Sequence, residues 1–378
     1  MLDTVLRPVT LPSHLLGGPS PCDFFDARGT LLLRAGATLR PSAGSGSRPL
    51  FCPARHANRI SPINPLAGLD GVTSRLAALV QRVEEGASDL VGGFVPLAEA
   101  VLSLWETDAD ACIGYARLAG QDRPSVVQVV RAALFAAEMG TANGMGREDL
   151  LAVVGAALTM NLGSMALHDA MAALGGRPDY ETRARLQGHP ERAAELLADG
   201  EGIPPAWREA VLNSHENVDG SGYPQGLART GISLGGRILR VADILAARLA
   251  GRRRRNPQHW ILHQTRDLPR LTQHVFGPDL GRVDQTLARM LMGRLGAFPP
   301  GTLVRLAQGE VAVVSRRSPS AGMAPREVLA LTGPQGRPLA SPRPRPISPR
   351  EGRILGYAHD AQSRLTVTDW RQLWGYLQ

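Results

Sequence analysis

The stretch His215-Glu216-Asn217-Val218-Asp219-Gly220-Ser221-Gly222-Tyr223-Pro224 sets a metal-ligand type of side chain beside a turn whose shape is fixed by residue type. Imidazole is the commonest metal ligand among side chains and titrates near neutral pH. Asp219 with Gly220 and Gly222 suits a tight turn that needs positive φ. Tyr223 precedes a proline and is therefore kept out of the right-handed helical region. The resulting loop is either a recognition surface or a structural latch. Glu216 either orients a ligand imidazole or is a first-turn carboxylate on a surface helix, and the second reading is the expectation.

This stretch resembles the HHExxxGxGYP motif of the HD-GYP family, metal-dependent phosphohydrolases whose best-known members hydrolyse cyclic di-GMP. The resemblance extends over more than half of the chain. His189-Pro190-Glu191 resembles the family's HPE segment, and Arg237-Ile238-Leu239-Arg240-Val241-Ala242-Asp243 resembles the helix whose Asp is a metal ligand. Phe298 to Leu306, followed by Gly309-Glu310-Val311, resembles a tail of many members, and Phe25 to Leu33 with Gly36 resembles a small β-element preceding some of these domains. The resemblance implies a mainly α fold: an HD-domain-like helical bundle with small β-rich N-terminal and C-terminal elements.

The ligand positions depart from the family pattern. Ser214 stands where the motif has its first histidine, and the family's spacing places its His-Asp pair on Met160-Asn161, with Ser164 for the following lysine. The dipeptide His168-Asp169 lies out of that register, and Asp122 to Val127, where an earlier ligand histidine belongs, contains none. A two-metal hydrolase needs a bridging carboxylate and imidazoles to complete each shell. Asn161 is neutral, Met160 is a soft thioether and Ser214 is a weak ligand. The resemblance leaves His189, His215 and Asp243 as residual metal ligands. Two histidines and one carboxylate match the set that holds ferrous iron or manganese; the alternative is a metal-free, hydrogen-bonded polar cluster. The polar cluster is the expectation, so that the cofactor is none or, if any, a divalent Fe or Mn.

The functional expectation is a catalytically silent module of the phosphohydrolase family that senses or docks in cyclic di-GMP signalling, with a signalling protein at the Gly-Tyr-Pro loop. The alternatives are a metal-dependent phosphodiesterase acting on cyclic di-GMP and an effector that binds the dinucleotide without hydrolysis. Arg252 and Arg255, in a run of four arginines after the Asp243 helix, are candidate phosphate contacts through bidentate guanidinium geometry. The competing reading is a solvated helix end carrying favourable cations.

The formal charge of +8 and the pI of about 10.3 raise nucleic acid as a partner. However, every one of the 42 basic residues is arginine, in a chain rich in Ala, Gly and Pro, which reads as compositional bias. No DNA-binding motif or aromatic-interleaved sheet accompanies the charge, so no nucleic acid is expected. No apolar run is long enough to span a bilayer, and no basic segment precedes an apolar one near Met1. Three scattered cysteines, Cys22, Cys52 and Cys112, suit a reducing compartment. A cytoplasmic protein is the expectation.

Punctuation and periodicity then divide the chain. Residues 1–58 carry short apolar runs broken by Gly, Pro and Ser, with a flexible link at Pro41 to Ser47. A helical connector follows over 59–107, and helix after helix over 108–295, clearest at Arg131 to Met139, Asp149 to Leu158, Glu191 to Leu197, Trp207 to Leu212, Gly235 to Leu249 and Gln285 to Leu295. Residues 296–378 return to strand signals, at Leu303 to Leu306 and Glu310 to Val314 around a turn at Gln308-Gly309. Pro342-Arg343-Pro344-Arg345-Pro346 reads as a polyproline-type connection.

Overall fold

The computed structural model describes residues 6–9, 18–26, 28–39, 50–53, 56, 64–118, 123–174, 179–198, 200–250, 268–317, 325–345, 347, 353–358, 373, 374 and 376. The fold is mainly α, a helical bundle flanked by two small antiparallel sheets. Its helices are α1 (Pro65–Glu84), α2 (Phe94–Thr107), α3 (Ala109–Leu118), α4 (Pro124–Ala142), α5 (Arg147–Thr159), α6 (Met165–Leu174), α7 (Tyr180–Gln187), α8 (His189–Leu196), α9 (Pro205–Leu212), α10 (Leu234–Ala250), α11 (Leu268–Phe276) and α12 (Gln285–Leu295).

Helix α1 starts and faces the core for local reasons. Asn64 caps α1, its side chain accepting from the Leu66 and Ala67 amides, and Pro65 occupies the first turn where a missing N–H costs nothing. Leu66, Leu69, Val72, Leu76, Val80 and Val83 then form one buried stripe at helical spacing. Helix α4 is buried almost all round, from Ser125 to Gly140, which marks it as the central helix. It packs against α5, α6, α10 and α12. The segment expected as a connector contributes Leu66 to Trp105 to the same apolar core as α4, α5 and α10, so α1 and α2 are structural walls of the bundle.

Two contacts set the angle of α9, which leads into the candidate site. The Trp207 indole lies over Gly155 of α5, where any Cβ would collide with the ring, and its Nε1 donates to Thr159 Oγ1 at 2.8 Å. At the other end of α9, Asn213 Oδ1 accepts from the Ser233 amide at 3.0 Å, holding the start of α10.

The N-terminal strands β1 (Leu6–Val9), β2 (Phe24–Phe25), β3 (Leu31–Leu33) and β4 (Leu50–Pro53) form a sheet of order β1-β4-β2-β3. Cys22 and Cys52 are buried in its small core, and no disulfide joins them or Cys112. The C-terminal strands β5 (Leu303–Leu306), β6 (Val311–Arg316), β7 (Glu327–Thr332), β8 (Pro338–Arg345) and β9 (Ile354–Tyr357) form a sheet of order β8-β7-β6-β5-β9. The turn between β5 and β6 uses Gly309 at φ +89°. One expectation is corrected here. The described part of the Pro-Arg repeat, Pro342 to Arg345, is not a free polyproline connection but part of strand β8, paired antiparallel with β7. Proline is tolerated because β8 is an edge, where an absent N–H breaks no ladder on its outer side. Pro346 and the link at Pro41 to Ser47 lie outside the described residues.

The C-terminal sheet is anchored to the bundle by buried charge. Arg316 donates both terminal nitrogens to the Asp108 carboxylate at 2.5 and 2.9 Å, and Tyr376 Oη donates to the same carboxylate at 2.9 Å. Arg317 bridges Asp110 at 2.5 Å and Glu138 at 2.8 Å. Burial alone would raise the Asp108 pKa, but the Arg316 guanidinium outweighs it and holds the carboxyl below its ordinary value.

Candidate functional site

Four aromatic rings from separate segments meet beneath the Gly-Tyr-Pro loop. His189 opens α8, His215 lies just past the end of α9, His168 comes from α6 and Tyr223 from the loop itself. The His189 and His215 rings meet edge to face at 4.7 Å between centroids, and His168 approaches His189 edge-on at 5.8 Å. Tyr223 stacks on His215 at 5.0 Å with the rings 4° from parallel. Burial pushes the His189 pKa down to about 4, despite its hydrogen bond to Leu186 and with His168 lowering it further. His215 is driven well below its ordinary value by burial, then by His189 and by the Arg240 guanidinium. Both imidazoles are therefore neutral at pH 7.

The polar partners of these rings come from three places. His189 Nδ1 is 2.5 Å from the Leu186 carbonyl. Arg240, on α10, places Nη1 3.5 Å from His215 Nδ1 and donates Nε to Asn217 Oδ1 at 3.1 Å. Asp243, one turn further along α10, accepts from Gln128 Nε2 of α4 at 2.7 Å. Nε2 of His189 and His215, Ser214 Oγ and Asn161 Oδ1 are buried with no hydrogen-bond partner among the described residues.

The loop is built from inside. Glu216 is only 1% exposed, and its two carboxylate oxygens accept from the backbone amides of Gln225 at 2.7 Å and Leu227 at 3.0 Å. That corrects the expectation of a surface-helix carboxylate: the acid sits in a buried turn, where backbone N–H groups satisfy it. Asp219 accepts from the Ser221 amide and hydroxyl at 3.0 and 2.6 Å, closing the turn through Gly220 at φ +80°. Gly222 has no room for a side chain, because a Cβ there would lie 2.5 Å from Glu216 Cα and against the Asn217 amide. The Tyr223-Pro224 peptide is cis.

The remaining candidates fall as follows. Met160 and Asn161 are buried at the end of α5, in the turn that Ser164 closes by donating to the Asn161 carbonyl at 2.9 Å. Ser214 is fully buried beside His215. His168 and Asp169 part company: the histidine joins the ring cluster, whereas Asp169 accepts from the Ser125 amide and hydroxyl at 2.8 Å each, at the start of α4. The expected polar cluster of His189, His215 and Asp243 is also corrected. The imidazoles meet each other through ring faces, and the Asp243 carboxylate is engaged by Gln128. Arg252 and Arg255 lie outside the described residues. Sequence reading missed Arg240, Asn217 and Gln128; Arg240 alone carried a signal, since it precedes Asp243 by three positions and shares its helix face.

Comparison with known proteins agrees with this architecture. Residues 111–263 match the HD domain family. The chain is 28% identical over 171 residues to the cyclic di-GMP phosphodiesterase PA4108 of Pseudomonas aeruginosa, an alignment covering 45% of this chain and 39% of that protein. It is 28% identical over 148 residues to the 3'3'-cGAMP-specific phosphodiesterase 2 of Vibrio cholerae, covering 39% of this chain and 28% of that one. A third relative, the cyclic di-GMP phosphodiesterase response regulator RpfG of Xanthomonas campestris, is 31% identical over 110 residues, covering 29% of each chain. These alignments therefore span well under half of each relative's length. Among solved structures, Bd1817, an HDG"Y"P protein from Bdellovibrio bacteriovorus, is 13% identical with a TM-score of 0.48, covering 76% of this chain and 98% of that one. The helical core over residues 111–263 thus matches the HD domain family, and the relatives it resembles are cyclic-dinucleotide phosphodiesterases. No helix among the described residues is long and apolar enough to cross a membrane.

The divalent metals that the family resemblance implies meet a mixed donor set here. The buried Nε2 atoms of His189 and His215 favour an ion. The rest of the donor set does not: Asp243 is the one carboxylate and accepts from Gln128 through one oxygen, the Arg240 guanidinium faces His215, and Asn161, Met160 and Ser214 supply no anionic donor. Among the described residues, no three His, Cys, Asp or Glu side chains are placed to share an ion. A binuclear centre does not fit these side chains.

Proposed function

We propose that this chain is a non-catalytic HD-GYP module that senses or docks in cyclic-dinucleotide signalling, with the clamped Gly-Tyr-Pro loop as its contact surface for a signalling protein. The observation that carries the reading is Asn161, a neutral amide buried where the family motif would place its bridging carboxylate. The Asp243 carboxylate, which accepts from Gln128 through one oxygen at 2.7 Å, is the one anionic member of the residual set His189, His215 and Asp243. With Asn161 at the bridging position, nothing there supplies the charge that holds two cations and acidifies a water between them. The loop suits recognition because its shape is fixed before binding, which lowers the ordering cost of association. Its outer residues Ser221, Gln225, Gly226 and Ala228 are exposed.

The test is metal analysis and turnover on one preparation. Purified protein supplied anaerobically with Fe or Mn is assayed for bound metal and for hydrolysis of cyclic di-GMP and of 3'3'-cGAMP. The expected result is no stoichiometric metal pair and no turnover above buffer. Two equivalents of metal, with turnover lost on His215→Ala, would overturn the reading.

A further inference from the structure

We infer that Arg240 is the positioning residue that keeps metal out of this site, by fixing the proton of His215 on the nitrogen that would otherwise ligate. The inference rests on the reading of the site as metal-free and gives it a mechanism. A guanidinium carries five N–H donors and no acceptor. Its Nη1 faces His215 Nδ1 at 3.5 Å, so Nδ1 is the acceptor and the proton of the neutral imidazole sits on Nε2. On His189 the partner has the opposite character. The Leu186 carbonyl only accepts, so Nδ1 holds the proton and Nε2 keeps its lone pair. The two imidazoles, ring to ring at 4.7 Å, are thus locked from outside as opposite tautomers.

A ligating histidine ordinarily donates its second ring N–H to a carboxylate or carbonyl, which frees the other nitrogen for the metal. His189 has that arrangement and His215 has its inverse. Moving the His215 proton to Nδ1 would point two donors at each other, and the guanidinium would still set a positive charge beside any incoming cation. Arg240 does not swing away freely, because Nε is bound to Asn217 Oδ1 at 3.1 Å. Asn217 in turn donates Nδ2 to Ser221 Oγ at 3.0 Å, which ties the guanidinium to the loop. Arg240 thus adds a charged barrier to the loss of ligands. With Arg240 gone, His215 is free to take the ligating tautomer that His189 already has.

Two measurements test this. Nitrogen-15 spectra of the wild-type histidine side chains report the tautomer directly. His215 is expected as Nε2–H and His189 as Nδ1–H; the reverse at His215 overturns the inference, whatever any variant does. Titration with Co2+, read by its visible d–d bands, then compares wild type with Arg240→Leu, Arg240→Gln and Arg240→Lys, each checked for an unchanged melting temperature. The neutral variants are expected to bind Co2+ about 10–100-fold more tightly than wild type, the range that partners of ligating histidines command. Arg240→Lys, which keeps the charge, should stay near wild type, and His215→Ala in the Arg240→Leu background should abolish the gain. A folded Arg240→Leu or Arg240→Gln protein with wild-type Co2+ affinity refutes the inference while leaving the non-catalytic reading intact. Wild-type turnover with two bound ions removes that reading instead.

Discussion

Glu216 is the residue on which the loop depends. Its two oxygens accept from the Gln225 and Leu227 amides at 2.7 and 3.0 Å, and the carboxylate is buried. Hydrogen bonds to a charged group contribute about 1.5–3 kcal/mol each. Gln225 is exposed and Leu227 half-buried, so water can partly replace the lost acceptor, and the lower value applies. Glu216→Ala should therefore cost about 3 kcal/mol. Glu216→Gln keeps one acceptor and turns an amide NH2 toward a backbone N–H, costing about 2 kcal/mol. The assay is urea unfolding, where the midpoint should fall with an unchanged slope, because the surface exposed on unfolding is the same. Limited proteolysis should reveal new cleavage between Asp219 and Arg229. A Glu216→Gln midpoint within about 0.5 kcal/mol of wild type, with no new cleavage, would refute the clamp.

Acid should destabilise the fold before its carboxylates titrate. His189 drops from 6.5 to about 4 on folding, so between those values the unfolded chain binds a proton that the native chain refuses. Stability should fall as pH drops from 6.5 toward 4, by about 3 kcal/mol for a shift of 2.5 units at 1.36 kcal/mol each; denaturant melts at pH 7.5, 6 and 5 check this, and a flat profile contradicts it. Asp108→Asn should cost about 3–5 kcal/mol, because it strands the Arg316 guanidinium in a buried site, and a thermal melt near wild type would remove the ion pair as the anchor of the C-terminal sheet. Tyr223→Ala removes the stack on His215, and its melting temperature separates the two roles of the loop. A loss of several degrees marks a latch, whereas near-native melting with weakened capture of a partner marks docking.

Much of the bundle was legible because its helices repeat apolar residues at helical spacing over long runs. Trp207 to Leu212 and Gln285 to Leu295 lie within the helices found, α9 and α12, because burial and periodicity agree there. Helix α7 was not legible, since none of its described side chains is buried, so no apolar stripe marks it. The Pro-Arg repeat misled because composition says how a segment bonds alone, whereas β7 supplied a partner on one side. At the site, His189 and His215 were readable from their neighbours in sequence. The hydrogen bonds that decide their chemistry were not. Gln128 meets Asp243 across 115 positions, and His168 of α6 approaches His189 of α8. A residue's type announces what it can bond; only the packing of α4, α6 and α10 says which bond it makes.

The same packing joins the loop to the imidazoles. Ser221 donates to Asp219 Oδ1 and accepts from Asn217 Nδ2; Asn217 Oδ1 accepts from Arg240 Nε; Arg240 Nη1 donates to His215 Nδ1. Tyr223 closes the circuit by stacking on the His215 ring. Low polarity strengthens each of these bonds and makes a missing partner costly, so members of such a network move together. A change at Ser221 therefore reaches His215 through three hydrogen bonds, and a change at Tyr223 reaches it through one ring contact. Glu216 holds the other flank of the loop to the backbone, independently of that chain. Cutting the Glu216 clamp should loosen the loop's Gln225–Leu227 flank and leave the Arg240 contact in place, whereas cutting Asn217 should release Arg240 and leave the clamp. The two lesions separate loop rigidity from the tautomer of His215, two properties that the motif read as a string of letters presents as one.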